Sequence, residues 1–366
     1  MVALYVHFPF CLSKCPYCDF NSHVRPQIDD ESWLEKILKD IDTYDGNLSI
    51  TSVFFGGGTP SLMPPASAAS IVNKIYKYFK TSSNIEITLE ANPNSSEASR
   101  FSDFKNAGIN RISIGAQSFN QNHLDFLGRK HSADEAKKAI KNALLYFDRV
   151  SFDLIYALPN QTLKEWENEL NYALSFGTSH LSLYQLTIEP GTPFEMRYRR
   201  KEFETPVDNE SACFYEQTVN QMSQAGLPPY EVSNFSQYGE ECLHNLAYWR
   251  YEDYIGIGPG AHGRLIKNGQ KIHTMSSKVP EHWLKEENPV INIINKRDQI
   301  FERLMMGLRL YSGIPKENIF DHINQEAYKN LVEEGFLINN STQLIPTLKG
   351  ILCHNSIVNY LLHDLP

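Results

Sequence analysis

Three thiols near the start of the chain have the types and spacing to do chemistry. Cys11, Cys15 and Cys18 follow one another at intervals of four and then three residues, in a loop short enough to wrap one cofactor. The chain has 6 cysteines in 366 residues, too few for a disulfide scaffold. Cys213, Cys242 and Cys353 stand alone and read as small buried apolar side chains. The clustered three read as metal-type usage in a reducing compartment. A structural zinc site usually takes four ligands, and no fourth Cys or His lies at ribbon or finger spacing; His7 and His23 flank the loop without such a spacing. A [4Fe–4S] cluster fits the set better, because three thiolates hold three irons and leave the fourth open to a small molecule. Zinc is the competing reading.

A second candidate is the run Gly56-Gly57-Gly58-Thr59-Pro60. Glycines after a strand let backbone approach a ligand edge with no Cβ in the way. Alone, the run reads equally as a tight turn. It matches neither the helix-opening GxGxxG pattern nor a P-loop, so a nucleotide phosphate site is not expected.

These residues need elements to position them. Strand-like runs are expected at Leu4–Phe8, Val53–Phe55, Ile85–Glu90, Arg111–Gly115, Val150–Ala157 and Leu181–Ile188. Amphipathic helical stretches fall between them at Trp33–Tyr44, Ser67–Phe79, Ala133–Leu145 and Leu163–Ser175. Six strand–helix units in series predict an α/β chain built on a partial parallel (β/α)6 barrel. Parallel sheets present ligands at the carboxyl ends of their strands, and polar residues close each run there: the cysteines, the glycine run, Glu90, Gln117, Asp153 and the segment from Glu189. Beyond residue 200 a helix is expected at Asn209–Gly226, an extended piece at Tyr230–Ser233 and a glycine-rich turn region at Gly256–Gly263. The last 75 or so residues read as a small helix-rich, winged-helix-like unit. The expected division is residues 1–230 for the barrel, 231–290 for an extension at its edge and 291–366 for the C-terminal domain.

Hydrophobic residues make up 42% and charged residues 21% of the chain, which predicts a globular protein. The net charge of -9 offers no footprint for nucleic acid. No run of about 18 apolar residues is present to cross a membrane, and no secretory signal is expected ahead of the cysteines. A cytoplasmic protein, touching the inner membrane only peripherally if at all, is the expectation.

The cysteine loop, with Tyr17 before its last Cys, resembles the radical S-adenosylmethionine (SAM) superfamily. The likeness narrows to the oxygen-independent coproporphyrinogen III oxidase-like family on Tyr5, the glycine run, Glu90 in Glu90-Ala91-Asn92-Pro93, the stretch from Arg111 to Phe119, Leu127 to His131 and Asp153 to Thr162. That resemblance implies a [4Fe–4S] cluster on Cys11, Cys15 and Cys18, with SAM on its open iron. It implies SAM contacts by Gly57, Gly58, Thr59, Glu90, Gln117, Arg129, Asp153 and Thr187, with Tyr5 and Tyr17 beside the cofactors and His262 on the adenosine side.

Within the family, the oxidases carry a further cysteine where this chain has Phe20, and a longer extension before the loop than the ten residues here. Both departures resemble the haem-chaperone subgroup. So does His244-Asn245-Leu246-Ala247-Tyr248-Trp249, the subgroup's motif associated with haem, which implies His244 near or on haem iron. The resemblance thus implies a protein that binds haem and SAM and passes haem to haemoprotein acceptors, some of them membrane-attached. It argues against an active coproporphyrinogen oxidase. A homodimer is a further family-level expectation that no residue here carries.

Overall fold

Residue alternation decides the main sheet. In the computed structural model, which describes residues 1–25, 27–286 and 288–363, six strands run parallel: β1 (Val2–Phe8), β2 (Ser49–Gly57), β3 (Lys80–Ala91), β4 (Arg111–Gln117), β5 (Arg149–Tyr156) and β6 (His180–Gln185). They lie side by side in sequence order, as repeated right-handed crossovers require. Successive side chains point to opposite faces. Leu4, Val6 and Phe8, Val53 and Phe55, Ile87 and Leu89, Ile112 and Ile114, and Phe152 and Leu154 join one buried apolar cluster. Helices cover that face: Trp33 and Ile37 of Asp30–Ile41, Ile71 and Ile75 of Pro65–Tyr78, Ile140 of Ala133–Tyr146 and Trp166 of Leu163–Leu174 are buried in the same cluster.

The other face carries polar residues along its whole length, not only at the strand ends. Tyr5 and His7, Ser52, Glu86 and Thr88, Arg111 and Ser113, Ser151 and Asp153, and His180 and Ser182 alternate with the apolar set. Contacts that skip strands show this face to be concave. Arg149 on β5 donates to Glu86 on β3 at 2.7 Å, past β4.

The sheet extends further than the sequence reading expects. The segment read as a glycine-rich turn begins as strand β8 (Asp253–Ile257), parallel to β1 with Tyr5 opposite Gly256. Its glycines mark close backbone approach. A Cβ at Gly256 would lie 2.0 Å from the His262 carbonyl oxygen, and one at Gly258 2.5 Å from that of His7. Antiparallel strands β9 (His262–Lys267), β10 (Gln270–Met275) and β11 (Val290–Ile293) follow outward from β8. On the opposite edge β7 (Asn234–Ser236) pairs antiparallel with β6, a few residues later than the expected extended piece. Residues 231–290 thus add strands to both edges of the barrel sheet.

The C-terminal unit has its own apolar cluster, including Leu304, Leu308, Leu331, Leu344, Val358 and Leu361. A helix Lys296–Gly307, strand β12 (Ile314–Pro315), a helix Gln325–Glu333 and strands β13 (Leu337–Ile338) and β14 (Gln343–Pro346) give the element order of a winged helix, and His354–Leu361 closes it. Its expected last residues, 364–366, lie outside the described residues.

Between the two units sits the short helix Leu243–Trp249. The N–H groups of Leu243 and His244 each donate to the Glu86 carboxylate at 3.2 Å. Glu86 is 3% exposed and faces the N-terminal end of the concave surface. Removing a buried carboxylate that caps a helix and pairs with Arg149 leaves a buried guanidinium and two helix N–H groups without their partner. Glu86→Ala is expected to lower unfolding free energy by about 3 kcal/mol or more, measured by urea denaturation. Removing the exposed Lys164–Glu167 pair, 3.0 Å long, should cost under about 1 kcal/mol by the same assay.

Candidate functional site

At the carboxyl ends of β1–β6 the concave face opens into a cavity of about 570 Å³. Cys11, Cys15, Tyr17 and Cys18 form one wall, and Gly57, Gly58, Thr59, Glu90, Gln117, Arg129, Asp153 and Thr187 line the rest. The loop holding the thiols is stapled to its surroundings by its backbone and by the Asn21 side chain. His7 Nε2 bonds the Asn21 carbonyl at 2.9 Å, Asn21 Nδ2 donates to the carbonyls of Pro259 and Lys278, and Phe194 N–H donates to the Pro16 carbonyl. Gly128, at φ 69, lets the next loop close on it, since a Cβ there would sit 2.6 Å from Pro16 Cδ.

Each thiol has a polar neighbour. Thr59 Oγ1 donates to Cys11 Sγ at 3.4 Å, Arg129 Nη1 to Cys15 Sγ at 3.5 Å, and Ser22 Oγ lies 4.0 Å from Cys18 Sγ. Asn92 ties two of these together: its Nδ2 donates to Thr59 Oγ1 at 3.0 Å, and its Oδ1 accepts from Arg129 Nη2 at 2.7 Å. Sequence reasoning quoted Asn92 inside the Glu90–Pro93 run without giving it a role. Its position two residues past Glu90, on the same pleat, was the available signal.

The glycine run works through close approach. Gly57 has φ 117, and a Cβ there would meet the His7 ring at 2.5 Å; its N–H donates to Glu90 Oε2 at 3.2 Å. Gln117 is presented by a register shift at the end of β4 and holds φ 66, a left-handed conformation unusual for a residue with a side chain. Burial, then the nearby Asp153, pushes the Glu90 carboxyl up to about 8. Burial raises Asp153 to about 6 against the hydrogen bonds it accepts from Ser182 and Ser113. A cationic group between the two carboxyls would favour their ionised forms and offset the burial that raises both.

Three expected cofactor contacts do not line the cavity. Tyr5 lies deeper on the concave face, its hydroxyl 3.1 Å from His7 Nδ1 and its ring 6.2 Å from that of His244. His244 is 1% exposed. Its Nδ1 pairs with Ser52 Oγ at 3.2 Å, its Nε2 with Tyr248 OH at 3.1 Å, and its ring stacks on Phe54. Burial first, then Arg111, drives it down to about 3, so it is neutral. Both ring nitrogens are thus engaged within the chain, and a four-residue helical spacing puts His244 and Tyr248 on the face that plugs the barrel floor. Trp249 turns the other way, under Arg309 at 4.5 Å and against the C-terminal core. His262 also lies outside the cavity lining, on β9. Of the solitary cysteines, Cys242 is buried as expected, Cys353 is partly so, and Cys213 is exposed on its helix.

The cavity suits a cluster with a small cationic ligand. A cuboidal cluster spreads its thiolates over separate irons, and Cys11, Cys15 and Cys18 lie together on one wall of the cavity. Arg129 Nε is buried at the cavity with no partner, a donor without an acceptor.

A six-strand parallel arc with three thiols in the loop after its first strand is the build of a radical SAM protein. The radical SAM superfamily signature matches residues 5–173, and the HemN C-terminal domain matches residues 294–353. The chain is 39% identical over 374 residues to heme chaperone HemW of Buchnera aphidicola subsp. Acyrthosiphon pisum, covering 99% of this chain and 98% of that protein. It is 35% identical to heme chaperone HemW of Escherichia coli K12, with the same coverages. It is also 35% identical to the mitochondrial radical S-adenosyl methionine domain-containing protein 1 of Danio rerio, over 99% of this chain and 87% of that one. The solved structure of coproporphyrinogen III oxidase (HemN) from Escherichia coli shares the fold, with a TM-score of 0.81 at 19% identity over 100% of this chain and 90% of that one. The chain belongs to the HemW family of radical SAM proteins. Its family carries a [4Fe–4S] cluster and SAM.

The Glu90 proton gives a stability test. The folded chain keeps a proton up to about pH 8 that an unfolded glutamate, at about 4.5, has released. The folded state therefore binds more protons across that window, and stability falls as pH rises through it. In urea titrations Glu90→Gln should gain stability relative to the parent between pH 5 and pH 8. A pH-independent difference would show that Glu90 is ionised in the folded protein.

Proposed function

We propose that this chain binds haem and hands it to haemoprotein acceptors, with a [4Fe–4S] cluster and SAM bound in the cavity above the barrel. The observation that carries this reading is similarity along 99% of the chain to relatives named heme chaperone HemW. The cavity supports it: Phe20, where the related oxidases carry a further cysteine, is 60% exposed at the rim.

In this reading Cys11, Cys15 and Cys18 hold three irons of the cluster. When bound, the cluster offers an open iron to the amino and carboxylate groups of SAM and an electron to its sulfonium. The protein's part is to hold SAM in one pose. The Gly57–Thr59 backbone and Glu90, which line the cavity together, would hold the amino end. Arg129, steadied by Asn92 and the Gly115 carbonyl at 2.9 Å, pairs with the carboxylate. Asp153 accepts from ribose hydroxyls, and Gln117 and Thr187 border the adenosine. Tyr17, at the cavity wall beside Arg129, limits water at the cluster.

The same reading divides the chain into the barrel, its edge extension and the C-terminal unit, and sets it in a reducing cytosol. Six free thiols suit that compartment. Among the described residues no helix is long and apolar enough to cross a membrane. A membrane-attached acceptor would therefore be met at the surface.

The test is anaerobic reconstitution followed by haem titration in the Soret region, with a coproporphyrinogen conversion assay on the same sample. Stoichiometric haem binding without conversion is expected; conversion would replace the chaperone reading with an oxidase. Cys11→Ala should abolish the brown colour of the cluster. A Cys11→Ala protein with an unchanged cluster spectrum would remove that cysteine from the ligand set.

A further inference from the structure

Thr59, Asn92 and Arg129 belong to the connections that follow three neighbouring strands, β2, β3 and β4. Asn92, one residue past the end of the middle strand, reaches both of the others. Its Nδ2 donates to Thr59 Oγ1 at 3.0 Å and its Oδ1 accepts from Arg129 Nη2 at 2.7 Å. Chemistry fixes the orientation of this amide. A guanidinium has no acceptor, so the amide oxygen must face Arg129 and the amide nitrogen must face Thr59.

The consequence falls on two of the three thiols. The Thr59 hydroxyl accepts from Asn92 and has a single proton to give, which goes to Cys11 Sγ at 3.4 Å. Arg129 Nη2 is held between Asn92 and the Gly115 carbonyl, 2.9 Å away, and this sets Nη1 at 3.5 Å from Cys15 Sγ. Asn92 is itself pinned from behind, its N–H lying 3.3 Å from both Ser61 Oγ and Glu97 Oε2, on side chains that are fully buried. Arg129 Nε is buried without a hydrogen-bond partner among the described residues, so the guanidinium keeps a donor for a ligand while Nη1 faces Cys15.

We propose that Asn92 is a positioning residue for the redox step of the cluster: by holding the Thr59 hydroxyl on Cys11 and the Arg129 guanidinium on Cys15, it raises the potential at which a cluster on these thiols accepts an electron. This rests on the cluster reading above and names what tunes that site. One electron, supplied from outside by a one-electron reductant, adds negative charge that the irons share with their thiolates. Donors fixed at the sulfurs stabilise the reduced form more than the oxidised one, and so raise the potential. The side chain has to be an amide. Aspartate has the same size but only acceptors, so it would take the Thr59 proton away from Cys11 and add a negative charge. Leucine, close in volume, would release both donors.

The experiment is a mediated potentiometric titration of the anaerobically reconstituted full chain, with dithionite as reductant and electron paramagnetic resonance of the reduced cluster as readout. Asn92→Asp should load as much iron and sulfide as the parent and move the midpoint to a more negative potential. Its reduction equilibrium constant should fall about tenfold, or about 59 mV for one electron. Asn92→Leu should move the midpoint in the same direction. Thr59→Val should reproduce the Cys11 share of that shift, and Asn92→Leu added to it should give less than the sum of the two single shifts, because the pair acts through one hydrogen bond. Fully loaded Asn92→Asp and Asn92→Leu proteins with the parent's midpoint overturn the proposal. So do variants of parental circular dichroism that load no cluster, since Asn92 would then serve assembly and not the potential. A parent chain that loads no cluster overturns the cluster reading itself.

Discussion

A parallel sheet that turns a polar face inward must give every group on that face a partner, because a buried polar group without one costs free energy that a folded chain can ill spare. Here that requirement organises the whole molecule. The floor of the concave face is satisfied by the chain itself: Glu86 is met by Arg149 and by the first turn of the Leu243–Trp249 helix, and Ser151 by His180 at 2.7 Å. The upper end is only partly satisfied, and there Glu90, Asp153 and Arg129 surround open volume. The binding site is the part of the polar face that the protein leaves to a ligand.

Closing the floor also settles how the two units are joined. The plug helix shows His244 and Tyr248 to the barrel, while Leu246 and Trp249 join the C-terminal core. Glu231, fully buried, repeats the link by pairing with Arg309, which lies over Trp249. A haem-associated motif thereby has a structural explanation on this chain. Changes in it would disturb the barrel floor and the inter-unit contact together.

Close backbone approach is the second means by which the site is built. Gly57 and Gly128 sit where a Cβ would strike His7 and Pro16, so the strand-end loops nest against the thiol loop. Gln117 is held in a left-handed conformation at a register shift, which is strain kept where a side chain must be aimed into the cavity. The cluster loop is anchored mostly by its backbone, which leaves the three thiols free for metal.

The chain's own pattern determined a good deal. Local spacing marked the three thiols, and period-two alternation marked the six parallel strands and their carboxyl ends, because both signals are written in neighbouring residues. The resemblance drawn from those motifs placed Glu90, Gln117, Arg129 and Asp153 together, and they do share one cavity. Burial and long-range pairing were not legible. Nothing near His244 in sequence tells that Ser52, 192 residues away, takes one ring nitrogen, or that Glu86 caps its helix. The glycines of 256–263 read as a turn because local propensity cannot distinguish a loop from a strand pressed against its neighbour. Whether a histidine lies in the core or faces solvent depends on what packs around it, and only the tertiary structure decided that for His244, which is buried, and His262, which is exposed.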